Sequence, residues 1–154
     1  MQLFDDGIKK AIKKWSYPVW FVIKDESTDC TCVDFTTHQA KPGCKKCFGT
    51  GKKVILRRMN AAHQSIDASM RGEGLAMGEL NIIGVYYTLQ NVKVSEGDMI
   101  LDGEFLDVIQ NYYPMRSDHS DPIYYKYDTA PVKSNRATII KSLKETLKGA
   151  GYSA

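Results

Sequence analysis

Residues 97–113 read GDMILDGEFLDVIQNYY, and their pattern sets the fold class. Two apolar runs meet at Asp102-Gly103, a dipeptide suited to a two-residue hairpin turn because its backbone tolerates positive φ. Before them, NIIGVYYTLQNVKV (81–94) is rich in Ile, Val and Tyr; after the loop PMRSDHSDP (114–122), IYYKYDTAPV (123–132) repeats that composition. Such β-branched and aromatic runs read as strands. Further out, VWFVIK (19–24) and KKVILRR (52–58) add two more. The chain ends read as helices. LFDDGIKKAIKKW (3–15) spaces Phe4, Ile8, Ala11, Ile12 and Trp15 at helical intervals, with Asp5 and Asp6 where the helix dipole favours acids and Pro18 as a terminator. The pattern predicts that this helix docks its apolar face on the core. SNRATIIKSLKETLKGAGYSA (134–154) offers Ser134 or Asn135 as a cap, a stripe of Ile139, Ile140, Leu143 and Leu147, and Gly149 as a stop. Residues 60–78 are polar and weakly patterned, a short helix or a long loop.

All four cysteines of the 154-residue chain fall in CTCVDFTTHQAKPGCKKCFGTG (30–51), between two of those strands. The amino terminus has two aspartates where a signal peptide would be basic and then apolar, and no apolar run is long enough to span a bilayer, so the expected setting is a reducing cytoplasm. There, paired cysteines point to metal more than to disulfide. Cys30, Cys32, Cys44 and Cys47 can supply four thiolates to one zinc ion at about 2.3 Å each, which leaves no open position and makes the metal structural. Free thiols or a redox pair are the alternatives, and His38 is a substitute ligand. Pro42-Gly43 supplies a turn, Gly49 and Gly51 let the backbone fold beneath Cys47, and Lys45 and Lys46 offset the charge of a tetrathiolate. The expected fold class is therefore α+β, a small antiparallel β-barrel or rolled sheet with flanking N- and C-terminal helices and an inserted zinc ribbon. Its units are residues 1–27 (helix and first strand), 28–53 (zinc ribbon), 54–133 (β-rich body) and 134–154 (helix and tail).

The net charge of +3 is small but unevenly spread. Lys41, Lys45, Lys46, Lys52, Lys53, Arg57 and Arg58 lie in a stretch without a carboxylate, whereas Glu96 to Asp128 is acidic. The basic strip suits nucleic acid, or a subunit contact with an acidic neighbour, or a solvated surface. Other chemistry is sparse. The cluster around His119 consists of ordinary turn residues, His63 stands alone, and RGEGLAMG (71–78) lacks the Lys-Ser/Thr ending of a phosphate loop. The tyrosines suit a barrel core or a subunit contact, and could stack on bases. No nucleophile, base and stabiliser assemble, so no enzyme is expected.

CKKCFGTG (44–51) resembles the C-x-x-C-x-G-x-G unit of the DnaJ-type zinc-binding region through Cys44, Cys47, Gly49 and Gly51. That family carries several such units and a His-Pro-Asp tripeptide, which this chain lacks, so chaperone function is not implied. In layout the chain resembles the neck proteins of tailed bacteriophages, the head-tail connector or head-completion stopper class: an amino-terminal segment, a cysteine ribbon ending in CFGTG, a β-rich body containing EGDMILDGEFLDVIQ (96–110) and a closing helix. The resemblance implies a non-enzymatic virion protein, made in the host cytoplasm, that forms a homo-oligomeric ring between portal or adaptor and tail proteins and lines or seals the DNA channel. Packaged DNA is then a further contact, a membrane is not, and the cysteines hold a loop at a contact. A zinc-ribbon nucleic-acid-binding regulator is the alternative.

Overall fold

The computed structural model describes residues 2–65, 84–117 and 121–152. Helix α1 (Gln2–Trp15) is followed by strands β1 (Tyr17–Asp29), β2 (Lys52–Ser65), β3 (Gly84–Thr88), β4 (Met99–Asp102), β5 (Phe105–Met115) and β6 (Tyr124–Pro131), and helix α2 (Arg136–Gly149) ends the order. All neighbouring strands are antiparallel and the sheet closes as a barrel in the order β1-β2-β3-β6-β5-β4. Closure leaves fewer strand edges to aggregate than an open sheet would.

Alternation along β1 explains why VWFV is apolar without a break. Successive side chains point to opposite faces of a strand, and here both faces are covered. Val19 and Phe21 point into the barrel, where they meet Met59, Ala61, Tyr86, Val92, Ile100, Ile109 and Tyr127. Val22 and half-buried Trp20 point outward into a second cluster, where Met99, Leu101 and Leu106 receive Ile140, Leu143 and Leu147 of α2. Of the tyrosines expected in a barrel core, Tyr86 and Tyr127 are fully enclosed, with the Tyr127 hydroxyl 3.2 Å from Thr88 Oγ1, whereas Tyr113 is exposed.

β1 and β2 pair from Tyr17↔Ala61 to Asp25↔Lys53, then resume after an irregularity at Asp29↔Lys52. Their other neighbours are shorter. β4 pairs with β1 only at Trp20–Val22, and β3 with β2 only over 62–65. Beyond those contacts the two strands run on as a ribbon that carries residues 30–51. The opposite end of the barrel gathers Tyr17, Ser65, Gly84, Asp102, Phe105 and Pro131, the strand termini that point away from the ribbon.

Several expectations need correction. Residues 60–65 are the end of β2 rather than helix or loop, because Ala61 and Ala62 are buried in the ladder; residues 66–78 lie outside the described residues. The strand read over 81–94 is confined to Gly84–Thr88, and Val92 leaves the ladder to plug the barrel interior; residues 81–83 are outside the description. In the hairpin, Asp102 pairs with Phe105, so the two turn residues are Gly103 and Glu104. Gly103 has φ +58, as a turn with glycine in its first central position requires. Among the described side chains, α1 docks its apolar face through buried Ile12 and half-buried Ile8; Ala11 is exposed, as are Phe4 and Trp15 at 72% and 69%. α2 ends at Gly149, as expected, and a second glycine just beyond it reverses the chain. Gly151 takes the left-handed conformation (φ +88), its N–H reaches Lys148 O and that of Tyr152 reaches Leu147 O, the two bonds of a Schellman cap. At the other end Asn135 occupies the cap position but makes no side-chain cap bond.

Candidate metal centre

The tip of the ribbon is tied at its base by the Cys30 N–H donating to Gly51 O at 2.8 Å. Inside that clasp, Asp34 Oδ1 accepts the amides of Thr36 and Thr37 at 2.7 and 2.9 Å and so forms one turn. The other is the C-x-x-C segment itself. The Phe48 N–H donates to Cys44 O, and Thr50 closes on Cys47 O through both its amide and its hydroxyl. Phe48 and Gly49 adopt φ values of +53 and +82, which reverse the chain directly after Cys47. Gly51 is also left-handed (φ +75), and an added Cβ there would lie in ordinary contact with Ala40 and Val33, so it is the backbone conformation that favours glycine.

These turns bring together the four cysteines singled out by their spacing. Cys30 and Cys47 are buried and Cys32 and Cys44 half-buried, and all four sulfurs lie within 4.8 Å of one another. Cys30 Sγ is 3.9 Å from Cys44 Sγ, and Cys32 Sγ is 3.4 Å from Cys47 Sγ. Both distances are far beyond a disulfide bond of about 2.05 Å. They bracket the edge of about 3.8 Å expected for a sulfur tetrahedron with bonds of about 2.3 Å. The arrangement can hold a metal ion. His38, the alternative ligand, is not part of the group.

The sulfurs are electrostatically unequal. Burial pushes the Cys44 thiol up, but the amides of Cys47 and Lys46 and the neighbouring thiols outweigh it and bring the group down to about 6. At Cys32 the Lys41 amide pulls down, while burial and three nearby sulfurs prevail and raise it to about 12. Four thiols this close cannot all ionise without a cation between them, and a bound divalent ion supplies that charge.

The basic strip is only partly free. Lys52 Nζ pairs with Asp29 at 2.7 Å, and Lys53 lies opposite Asp25 in the ladder. The carboxylates of β1 thus offset the lysines of β2, a pairing hidden in the sequence. Lys41, Lys45, Lys46, Arg57 and Arg58 are exposed and form no ion pair among the described residues.

A second polar group sits at the far end of the barrel. The hydroxyls of Tyr17 and Tyr86 both donate to Asp102 Oδ2, at 2.6 and 3.0 Å, and the Tyr86 hydroxyl lies 3.5 Å from Asp107 Oδ2. Burial and the two carboxylates hold the Tyr86 phenol well above its ordinary range. His63 does not stand alone: its ring lies 4.5 Å from that of Tyr86, and any Cβ at Gly84 would fall 2.6 Å from its Nε2. With Arg136 these groups line a cleft of about 640 Å³. The hydrogen bonds tie the starts of β1 and β3 to the end of β4.

Among the described residues no helix is long and apolar enough to cross a membrane. In comparison with known proteins, the chain matches no protein-family model and no curated protein.

Proposed function

We propose that the chain is a non-enzymatic structural protein of a tailed-phage virion, a ring-forming component of the neck between portal and tail, with zinc as a staple in its cysteine module. The observation that carries this reading is the placement of an all-sulfur site at the tip of a ribbon that projects from a closed barrel. Four sulfur ligands leave zinc no position for water or substrate, so the ion fixes a shape. A shape fixed at a projecting tip serves contact with a neighbour, and asymmetric contacts between identical chains close into rings. The layout resemblance to neck proteins supplies the setting. The test is native mass spectrometry with metal analysis on the same sample, alone and with portal and tail partners. The expected result is one zinc per chain and a ring, formed alone or on the portal complex; a zinc-loaded chain that stays monomeric beside those partners would remove the ring reading.

Lys41, Lys45 and Lys46, exposed and without an ion pair among the described residues, favour a second reading, a zinc-ribbon nucleic-acid-binding protein. The carboxylates Asp25 and Asp29 alongside β2 weigh against it. Reversing Lys45 and Lys46 to Glu should then lower DNA or RNA affinity and flatten its salt dependence. No binding by the unaltered chain at low salt eliminates this reading.

A further inference from the structure

The cysteine module and helix α2 are far apart in sequence, yet one side chain of the module packs against the cluster that α2 completes. Phe48 follows Cys47 directly, and its half-buried ring packs with Trp20, Val54 and Leu56 against the cluster that contains Ile140, Leu143 and Leu147. Its φ of +53 is one that residues other than glycine seldom adopt. Such a conformation persists only where its surroundings over-determine it. Here the Phe48 N–H bond to Cys44 O, the fully buried Cys47 and the left-handed Gly49 provide that constraint.

We infer that metal occupancy of the four-cysteine site is coupled, through Phe48, to the docking of α2 on the barrel. The inference rests on the metal reading of the site and is independent of the virion setting. With a metal ion in place, the turn after Cys47 is rigid and the ring is held in the α2 cluster. Without it, between Cys30 and Gly51 only Cys30, Cys47 and Gly51 are themselves buried, so the module has no core of its own to hold the turn. Phe48 is then free to return to an ordinary backbone conformation and withdraw from the cluster on which α2 docks. Coupling of this kind is reciprocal: whatever loosens α2 weakens metal binding by the same factor.

The molecule carries its own reporter. Trp20 lies in the same cluster, with the ring of Tyr152 edge-on at 4.9 Å just past the end of α2. The other tryptophan, Trp15, is exposed, so Trp15→Phe leaves Trp20 as the sole signal. The full-length Trp15→Phe chain is loaded with zinc and then treated with a chelator, with emission and metal content read together. Removal of zinc should shift Trp20 emission to the red, and added zinc should reverse the shift. In the Phe48→Ala background the chain should bind zinc at least about five-fold more weakly, and its emission should no longer follow the metal. Because that variant lies beside a ligand, Ile139→Ala on α2 is the second arm; Ile139 packs against the same cluster from outside the module's sequence, and its loss should also weaken zinc affinity. Zinc loss without any change at Trp20 overturns the coupling, as does an undiminished metal-linked shift in Phe48→Ala or unaltered affinity in Ile139→Ala. A chain that cannot be loaded with any divalent metal instead removes the metal site itself, and the coupling with it.

Discussion

The barrel interior and the cysteine module occupy two ends of the same pair of strands, yet they are held by different physics. Inside the barrel, Phe21, Tyr86, Ile100, Ile109 and Tyr127 are enclosed on all sides, and their burial is non-directional and large. In the module, short turns and sulfurs replace an apolar core, and Phe35 is 96% exposed. A segment that buries so little surface cannot offset the entropy of fixing its backbone. The difference teaches where a metal would act. The barrel has an apolar core of its own, whereas the module, on our reading of its four cysteines, gains its cross-link from a bound ion.

The largest effect is expected from the barrel side of this contrast. Phe21→Ala empties a fully buried site and should cost about 3–5 kcal/mol, lowering the urea midpoint in a single transition followed by circular dichroism. A loss below about 1 kcal/mol would mean that the interior is not the anchor. A smaller effect, about 1–3 kcal/mol, is expected from Cys47→Ser, which should abolish metal binding and expose the amides of residues 30–51 to rapid hydrogen exchange while β3, β5 and β6 stay protected. Global unfolding of that variant would break the contrast, since the module would then be part of the main core.

The smallest effect is a gain at the far mouth. Burial raises the Asp107 carboxyl above its ordinary value, and Asp102 adds to this, while His63, the Tyr86 hydroxyl and Arg136 pull the other way. The folded chain therefore holds this proton more tightly than the unfolded chain. The stability it contributes is complete below the unfolded value and is lost as pH rises through the raised folded value. At neutral pH the ionised Asp107 is a standing cost, so Asp107→Asn should raise Tm by about 1–2 °C at pH 7. The gain should vanish near about pH 3, where both forms are neutral. Calorimetry at the two pH values checks it, and an equal gain at both would assign the effect to packing instead of charge.

What the sequence made legible follows from distance along the chain. The cysteines lie within one window, so spacing alone could suggest that they converge, and the β-branched and aromatic composition of VWFV and VYYT carried the strands. The polar mouth was invisible because Tyr17 and Asp102 are 85 residues apart and meet only when the barrel closes. The end of α2 at Gly149 was legible, but the glycine that reverses the chain was not: Gly149 and Gly151 are equally permissive, and the hydrogen bond from Tyr152 back to Leu147 selects the second. Helical periodicity marked the apolar stripe of α1 correctly but could not say how much of it the barrel would cover. Likewise, the basic strip was visible in β2, and the acids facing it became visible only through the register with β1.

The root of the ribbon has a mechanical consequence. Every residue of β1 from Tyr17 to Asp25 has a partner on β2, and the two strands then enter the barrel between different neighbours, β4 on one side and β3 on the other. A load applied at the tip is therefore divided between two seams that run lengthwise along the strands. Such seams resist pulling by shear, with several hydrogen bonds strained at once, so the ribbon can bear tension at its tip without unzipping from the body.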